Sequence, residues 1–268
     1  MIARTARLAG PLAAALLALA SAARAACPPD SRIAEWVLGN GLCLAASTFG
    51  AETAGQQPVL VVVVHGDISD GGRATYHATF AQKLVRPGVV AVALTRPGYA
   101  SDSGRVSEGS TLGRQDNYTA GNVAAVGAAI AELRRHYRAR RVIYVGHSGG
   151  AAVGGVLIGK SPGLIDAAVL VSCPCDVARW RRERWRDRWR WSESPSQYAA
   201  RVPPGTAVVA ITGSRDTNTA QQFAEDYVRK LIRRSVNARF IAVDGAGHGF
   251  PGLAAATAEA VLEASSVR

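Results

Sequence analysis

Arg141-Val142-Ile143-Tyr144-Val145-Gly146-His147-Ser148-Gly149-Gly150-Ala151-Ala152-Val153-Gly154-Gly155 is the stretch on which the reading of this chain turns. Its first five residues, β-branched or aromatic after Arg141, read as a buried strand. Small residues follow at once, as a helix packed tightly against that strand requires. Between them lies G-x-S-x-G, which in a strand, sharp turn and helix context reads as a nucleophile elbow. The chemistry explains the glycines. The turn lifts the Ser148 hydroxyl above the sheet edge, and side chains at Gly146 or Gly150 would collide with neighbouring backbone. The helix that starts beside Ser148 directs the positive end of its dipole at developing negative charge.

Three further segments have the same form, an apolar run ending in a loop of polar residues and glycines. Pro58 to Val64 runs into His65-Gly66-Asp67, and Ala207 to Ile211 into Thr212-Gly213-Ser214-Arg215-Asp216. Phe240 to Val243 runs into Asp244-Gly245-Ala246-Gly247-His248-Gly249-Phe250. Helical patterns separate these strands, with Asn122 to Tyr137 the clearest: Val123, Val126, Ile130 and Leu133 share one face. Further helices are expected over Ala74 to Leu84, after Ser148, over Ala220 to Leu231 and over Leu253 to Leu262. Gly88 to Leu94 and Ala167 to Ser172 read as two more strands. Cys27 to Gln57 is irregular, with Gly39-Asn40-Gly41 as a turn signal, and is expected to add a short antiparallel hairpin or edge. The fold class is therefore α/β, a mostly parallel central sheet with helices on both faces. Ligands in such sheets bind beyond the carboxyl ends of the strands, where Ser148, Asp216, His248 and His65 all fall.

The order of these loops, an oxyanion loop followed by Ser, Asp and His, resembles the α/β-hydrolase superfamily. From Pro58 onward the chain looks closest to single-domain serine hydrolases related to prolyl oligopeptidase catalytic domains and dienelactone hydrolases. Ser194-Pro195-x-x-Tyr198 and Gly247-His248-Gly249-Phe250 carry that narrower likeness. The resemblance implies that Ser148 attacks an acyl carbonyl, His248 moves the proton and Asp216 holds the histidine. Asp176, after the preceding strand, is the competing acid, whereas Asp244 is too close to His248. Oxyanion donors are expected from the Gly149 amide and from Asp67 or Gly66. His65 reads as a structural hydrogen bonder, and His147 as packing into the elbow. Arg96-Pro97-Gly98-Tyr99 reads either as a loop bordering the pocket, with Tyr99 on its rim, or as a loop terminator. The implied reaction is ester hydrolysis through an acyl-enzyme with no cofactor. A peptidase acting on short peptides and a non-catalytic binding protein on the same scaffold are the alternatives.

The segment Arg179 to Trp191 holds seven arginines interleaved with Trp180, Trp185, Trp189 and Trp191. It falls where α/β-hydrolases insert a lid, here about residues 176–198. Helical spacing would put Trp185 and Trp189 on one face. Three readings stand: a packed helix with solvated arginines, a pocket rim for an acidic or aromatic substrate, and a patch that contacts an anionic lipid surface.

The ends and the charge bound the rest. Residues 1–25 read as a secretory signal peptide: Arg4 and Arg7, an apolar run from Leu8 to Ala20, then Ala23-Arg24-Ala25 as a cleavage site. The run is too short to span a bilayer and is broken by Gly10-Pro11. Arg24-Ala25-Ala26 before Cys27 matches a lipid-anchor signal poorly. Residues 26–268 then form one domain, exported to the periplasm or secreted, with no transmembrane segment in the mature chain. Removing Arg4, Arg7 and Arg24 lowers the net charge from +11 to +8, a surface that favours anionic partners. Nucleic acid is not among those expected, since a serine triad performs no chemistry that calls for it. Four cysteines allow three connectivities. An oxidising compartment makes disulfides the default, and locality favours Cys27–Cys43. Cys173-Pro174-Cys175 either closes a tight ring or stays reduced, and two close cysteines without a partner cluster make no metal site.

Overall fold

The computed structural model describes residues 27–28 and 32–266. The proposed signal peptide, residues 1–25, lies outside them. The core of the fold is one sheet with strands β1 (Trp36–Gly39), β2 (Leu42–Phe49), β3 (Val59–Val64), β4 (Val89–Leu94), β5 (Arg141–His147), β6 (Ala167–Val171), β7 (Ala207–Gly213) and β8 (Ala238–Val243). Their spatial order is β1-β2-β4-β3-β5-β6-β7-β8. Strands β3 to β8 pair in parallel, while β1 with β2 and β2 with β4 are antiparallel. The edge hairpin follows from Asn40-Gly41, both at positive φ, joining Gly39 to its register partner Leu42. Two such residues make the turn whose twist matches paired strands.

The helices are α1 (Tyr76–Lys83), α2 (Ala120–His136), α3 (Gly149–Lys160), α4 (Val177–Glu183), α5 (Pro195–Tyr198), α6 (Gln221–Ile232) and α7 (Ala254–Ser266). Alternation along β3 shows why both faces need cover. Leu60, Val62 and Val64 enter one core with Val126, Ile130 and Leu133 of α2, Leu157 of α3 and Tyr227 of α6. Val59, Val61 and Val63 enter the other with Phe80 and Ala81 of α1 and Val261 of α7. A strand buried on both faces has no polar position to spare, hence its unbroken apolar run.

The strand ends place the site. Ser148 directly follows β5, Asp67 follows β3, Asp216 follows β7 and His248 follows β8, all at the carboxyl edge. Steric demand at the elbow is severe. A Cβ on Gly146 would lie 2.5 Å from the Gly150 carbonyl oxygen, and one on Gly150 would lie 2.4 Å from that of Val64. Neither position accepts a side chain without moving a strand.

The stretch Arg179 to Trp191 departs from its expected form. Helix α4 stops at Glu183, and Trp185 has φ +52°, so Trp185 and Trp189 do not share a helical face. Trp185 is 97% exposed, whereas Trp180 is buried and Trp189 packs against Trp180 and Tyr118 with ring centroids 5.4 and 5.2 Å apart. Alternating arginines give a helix no apolar stripe, so tertiary anchors decide the path instead. The Asp116 carboxylate accepts from the backbone amides of Arg190, Trp191 and Ser192 at 2.8 to 3.1 Å. The Trp180 indole donates to the Asn218 carbonyl at 2.8 Å, and the Arg184 guanidinium to that of Thr217 at 2.7 Å. This segment therefore rests on the loop that carries Asp216.

Candidate active site

Ser148 sits at φ +51°, ψ −114°, a conformation that a non-glycine residue rarely holds. Its amide donates to the Val171 carbonyl at 2.8 Å, which fixes the turn to β6. From there the hydroxyl oxygen lies 3.1 Å from His248 Nε2. On the far side of the ring, Nδ1 lies 3.0 and 3.2 Å from the two Asp216 carboxylate oxygens. Thr219 closes this corner. Its hydroxyl donates to Asp216 Oδ2 at 2.9 Å and its amide to Oδ1 at 2.8 Å, with Asn218 N adding a third donor. Burial alone would raise the Asp216 carboxyl, but His248 and then Thr219 outweigh it and hold it at about 2. Asp176 is elsewhere: it caps α4 by accepting from the Arg179 amide at 3.1 Å.

Gly66 and Gly149 flank the serine. A methyl group on Gly66 would sit 3.0 Å from Ser148 Cβ, so the loop after β3 lies against the elbow. The Gly66 amide is already engaged, donating to the Tyr76 hydroxyl at 2.6 Å. That leaves the Asp67 amide and that of Gly149, the first residue of α3 and without an intrahelical acceptor, as the candidate donors. Tyr76 passes its own proton on to His147 Nδ1 at 2.8 Å, and His147 Nε2 donates to the His248 carbonyl at 2.9 Å. Burial is the largest influence on His147 and lowers it to about 4, so the ring is neutral, as this pattern of one acceptor and one donor nitrogen demands. His65 is likewise structural. Its Nδ1 meets the Gly66 carbonyl at 2.7 Å and its Nε2 accepts from the Arg96 amide at 3.0 Å.

A sequence model of the alpha/beta hydrolase family matches residues 61–264, most of the chain. The chain belongs to that family. Among solved structures, Est1E from Butyrivibrio proteoclasticus with ferulic acid bound is similar at 14% identity and a TM-score of 0.68 over 87% of this chain and 99% of that one. A Pyrobaculum calidifontis esterase is similar at 16% identity and a TM-score of 0.65, over 86% of this chain and 84% of that one. A Mycobacterium tuberculosis puromycin-hydrolyzing peptidase reaches 18% identity and 0.64, over 84% of this chain but 37% of that one. At such identities the likeness concerns the fold. No curated protein sequence matches the chain.

Within this α/β-hydrolase, a buried polar cluster beneath the loop after β3 escaped sequence reading. Asp67 Oδ1 accepts from Arg96 Nη1 at 2.8 Å and from the Tyr99 hydroxyl at 3.3 Å, while Oδ2 accepts from the Tyr118 hydroxyl at 2.6 Å. Arg96 also donates to Asn117 and lies over the rings of Tyr99 and Tyr118. Desolvation would lower the Arg96 guanidinium, but Asp67 outweighs it and the group titrates above an ordinary arginine. Tyr99 is therefore not on the pocket rim; it is buried under Asp67. The cavity over Ser148 and His248 measures about 310 Å³, with Trp180 and Trp189 on its wall and Trp185 outside it. The favoured pair Cys27–Cys43 is a disulfide, and of the two alternatives for Cys173 and Cys175 the structure has the tight ring, a second disulfide. Among the described residues no helix is long and apolar enough to cross a membrane.

Proposed function

We propose that this α/β-hydrolase is an exported serine hydrolase that cleaves carboxylic esters through an acyl-enzyme. The observation that carries the reading is the continuous line from the Ser148 hydroxyl through His248 to the Asp216 carboxylate, with steps of 3.1 and 3.0 Å. Ser148 Oγ attacks the carbonyl carbon as its proton passes to His248 Nε2. The carbonyl oxygen, now an anion, takes hydrogen bonds from the Gly149 and Asp67 amides. The imidazolium gives its proton to the departing alkoxide as the carbon–oxygen bond breaks. Water then repeats the sequence on the acyl-serine, releasing the acid. Asp216 stays ionised throughout: its carboxyl, held at about 2, fixes the ring tautomer and stabilises the imidazolium.

Two disulfides suit an oxidising compartment and support export. The esterase among its structural neighbours favours esters, and the peptidase among them gives the second reading, hydrolysis of short peptides. Purified protein should be labelled by a fluorophosphonate probe and should release nitrophenolate from 4-nitrophenyl esters. Ser148→Ala should abolish labelling and cut turnover by about a thousandfold or more. Retained labelling in that variant would remove Ser148 from its role. Faster cleavage of peptidyl anilides than of esters would replace the substrate class and leave the nucleophile standing.

A further inference from the structure

Arg181 is the anomaly in the cavity over Ser148. It is 7% exposed, yet among the described residues no carboxylate lies within 4.0 Å of it. Its Nε donates to the Asp187 carbonyl at 2.9 Å, and neither Nη atom has a protein acceptor. The guanidinium is clamped between aromatic rings instead, 4.7 Å from the centroid of Trp189 and 5.6 Å from that of Trp180. A buried cation without a counter-ion is costly unless something supplies the missing charge. The same wall holds the Trp189 indole N–H, which is buried without an acceptor.

The charges around Arg181 point the same way. Arg114 and Arg186 also line the cavity, and among the described residues neither has a carboxylate within 4.0 Å. One carboxylate lines it, Asp67, and Arg96 and Tyr118 already occupy that group. Burial, then Arg186, lowers the hold of Arg181 on its proton, while Asp187 opposes this. Arg96 shows the contrast within one protein: it is more deeply buried and has its carboxylate.

We infer that Arg181, with Arg114 and Arg186 at its side, is an anion subsite, and that the substrate is an ester carrying a carboxylate remote from the bond cleaved. The inference rests on the ester-hydrolase reading of Ser148. A planar guanidinium with both Nη atoms open fits a carboxylate through two parallel hydrogen bonds. The flanking tryptophans hold it in place before substrate arrives, so little ordering is left to be done on binding.

Two measurements separate this inference from the reading beneath it. In the first, wild-type protein is assayed on the mono-4-nitrophenyl ester of suberic acid and on methyl 4-nitrophenyl suberate, which differ in one terminal charge. The ratio of kcat/KM for the anionic over the neutral ester should be about tenfold or more, as expected for a charge-assisted bond, and should fall with added salt. Arg181→Gln should bring the ratio close to one, and Arg181→Lys should retain part of it. The wild-type ratio and its salt dependence need no variant, so a misfolded Arg181→Gln does not stop the test. In the second, Ser148→Ala protein is titrated with monomethyl suberate and with dimethyl suberate, following tryptophan emission, since Trp180 and Trp189 flank Arg181. Saturable binding that favours the monoanion supports the subsite, even if no ester is turned over. Equal kcat/KM for the two esters, or equal affinity for the two ligands, overturns it while leaving Ser148 untouched. Loss of hydrolysis and fluorophosphonate labelling in the wild type, with selective binding intact, would overturn the esterase reading alone.

Discussion

Asp67→Ala is the most informative single substitution, because Asp67 joins the stability of the site to its chemistry. Arg96 is 3% exposed in its side chain, and Asp67 15%. Removing the carboxylate leaves the guanidinium buried with Asn117 and two tyrosine rings, and leaves the Tyr118 hydroxyl without its acceptor. Breaking a buried pair from one side costs about 3–5 kcal/mol. Asp67 borders the cavity, so water can reach the vacated place and the lower end, about 3 kcal/mol, applies. For a domain of this size that is a fall in Tm of about 10 °C. Thermal unfolding by circular dichroism reads it directly. Arg96→Met alone should also destabilise, but the double variant should be more stable than the sum of the singles by over about 1 kcal/mol, since no orphaned charge remains. Additive effects, or an Asp67→Ala loss under about 1 kcal/mol, would refute the coupling. Ester turnover should fall as well, because the cluster holds the loop whose amide faces the oxyanion.

Three further outcomes follow from the same geometry. Asp216→Asn should lower kcat by about ten-thousandfold, whereas Asp176→Asn should be mild because Asp176 only caps α4; kinetics on one ester suffices, and the reverse ranking would reassign the acid. The Asp216 carboxyl, held at about 2 against an ordinary 3.8, contributes about 2 kcal/mol that is present above pH 4 and lost as pH falls through 2; urea titrations across that window should show Asp216→Asn missing this slope. Trp189→Ala should both lower Tm and raise KM, while Trp185→Ala should leave both unchanged; a KM change in Trp185→Ala alone would place the rim where the cavity is not.

What the sequence made legible was whatever depends on neighbours along the chain. The run Val142 to Val145, the glycines that admit a tight elbow and the Asn40-Gly41 hairpin are local statements, and each element formed within a few residues of its expected bounds. The order of Ser148, Asp216 and His248 came through the resemblance to α/β-hydrolases, which the placement of each in a loop after a strand prompted. The polar cluster was not, because Asp67 meets Arg96 across 29 positions and Tyr118 across 51. Arg96 stands in a recognisable Pro-Gly loop, but nothing local pairs it with Asp67, and Tyr118 carries no local pattern. The nearest signal is Thr119, which caps α2 and so fixes the residue before it at the helix mouth. The lid misled through a coincidence of spacing. Trp185 and Trp189 stand four apart, but contacts of Asp116, Asn218 and Thr217, all distant in sequence, decide where the chain turns.

His147 shows why the unspecified position of G-x-S-x-G is not free in this chain. In the proposed mechanism a serine, a histidine and two oxyanion amides come from three loops, and catalysis would require their relative placement to hold within a fraction of an ångström. Ser148 and His147 are adjacent, so whatever fixes one fixes the other. One nitrogen of His147 is tied through Tyr76 to the Gly66 amide, and the other to the carbonyl of His248 itself. The loop after β3 and the loop after β8 are thereby both referred to the elbow. The tie works only with a neutral ring, since a protonated Nδ1 could not accept from Tyr76. Burial secures that by lowering His147 to about 4, well below the pH at which a histidine must lose its proton to act as a base. The imidazole beside the serine is held neutral, and its two fixed hydrogen bonds tie the elbow to the loop that carries His248.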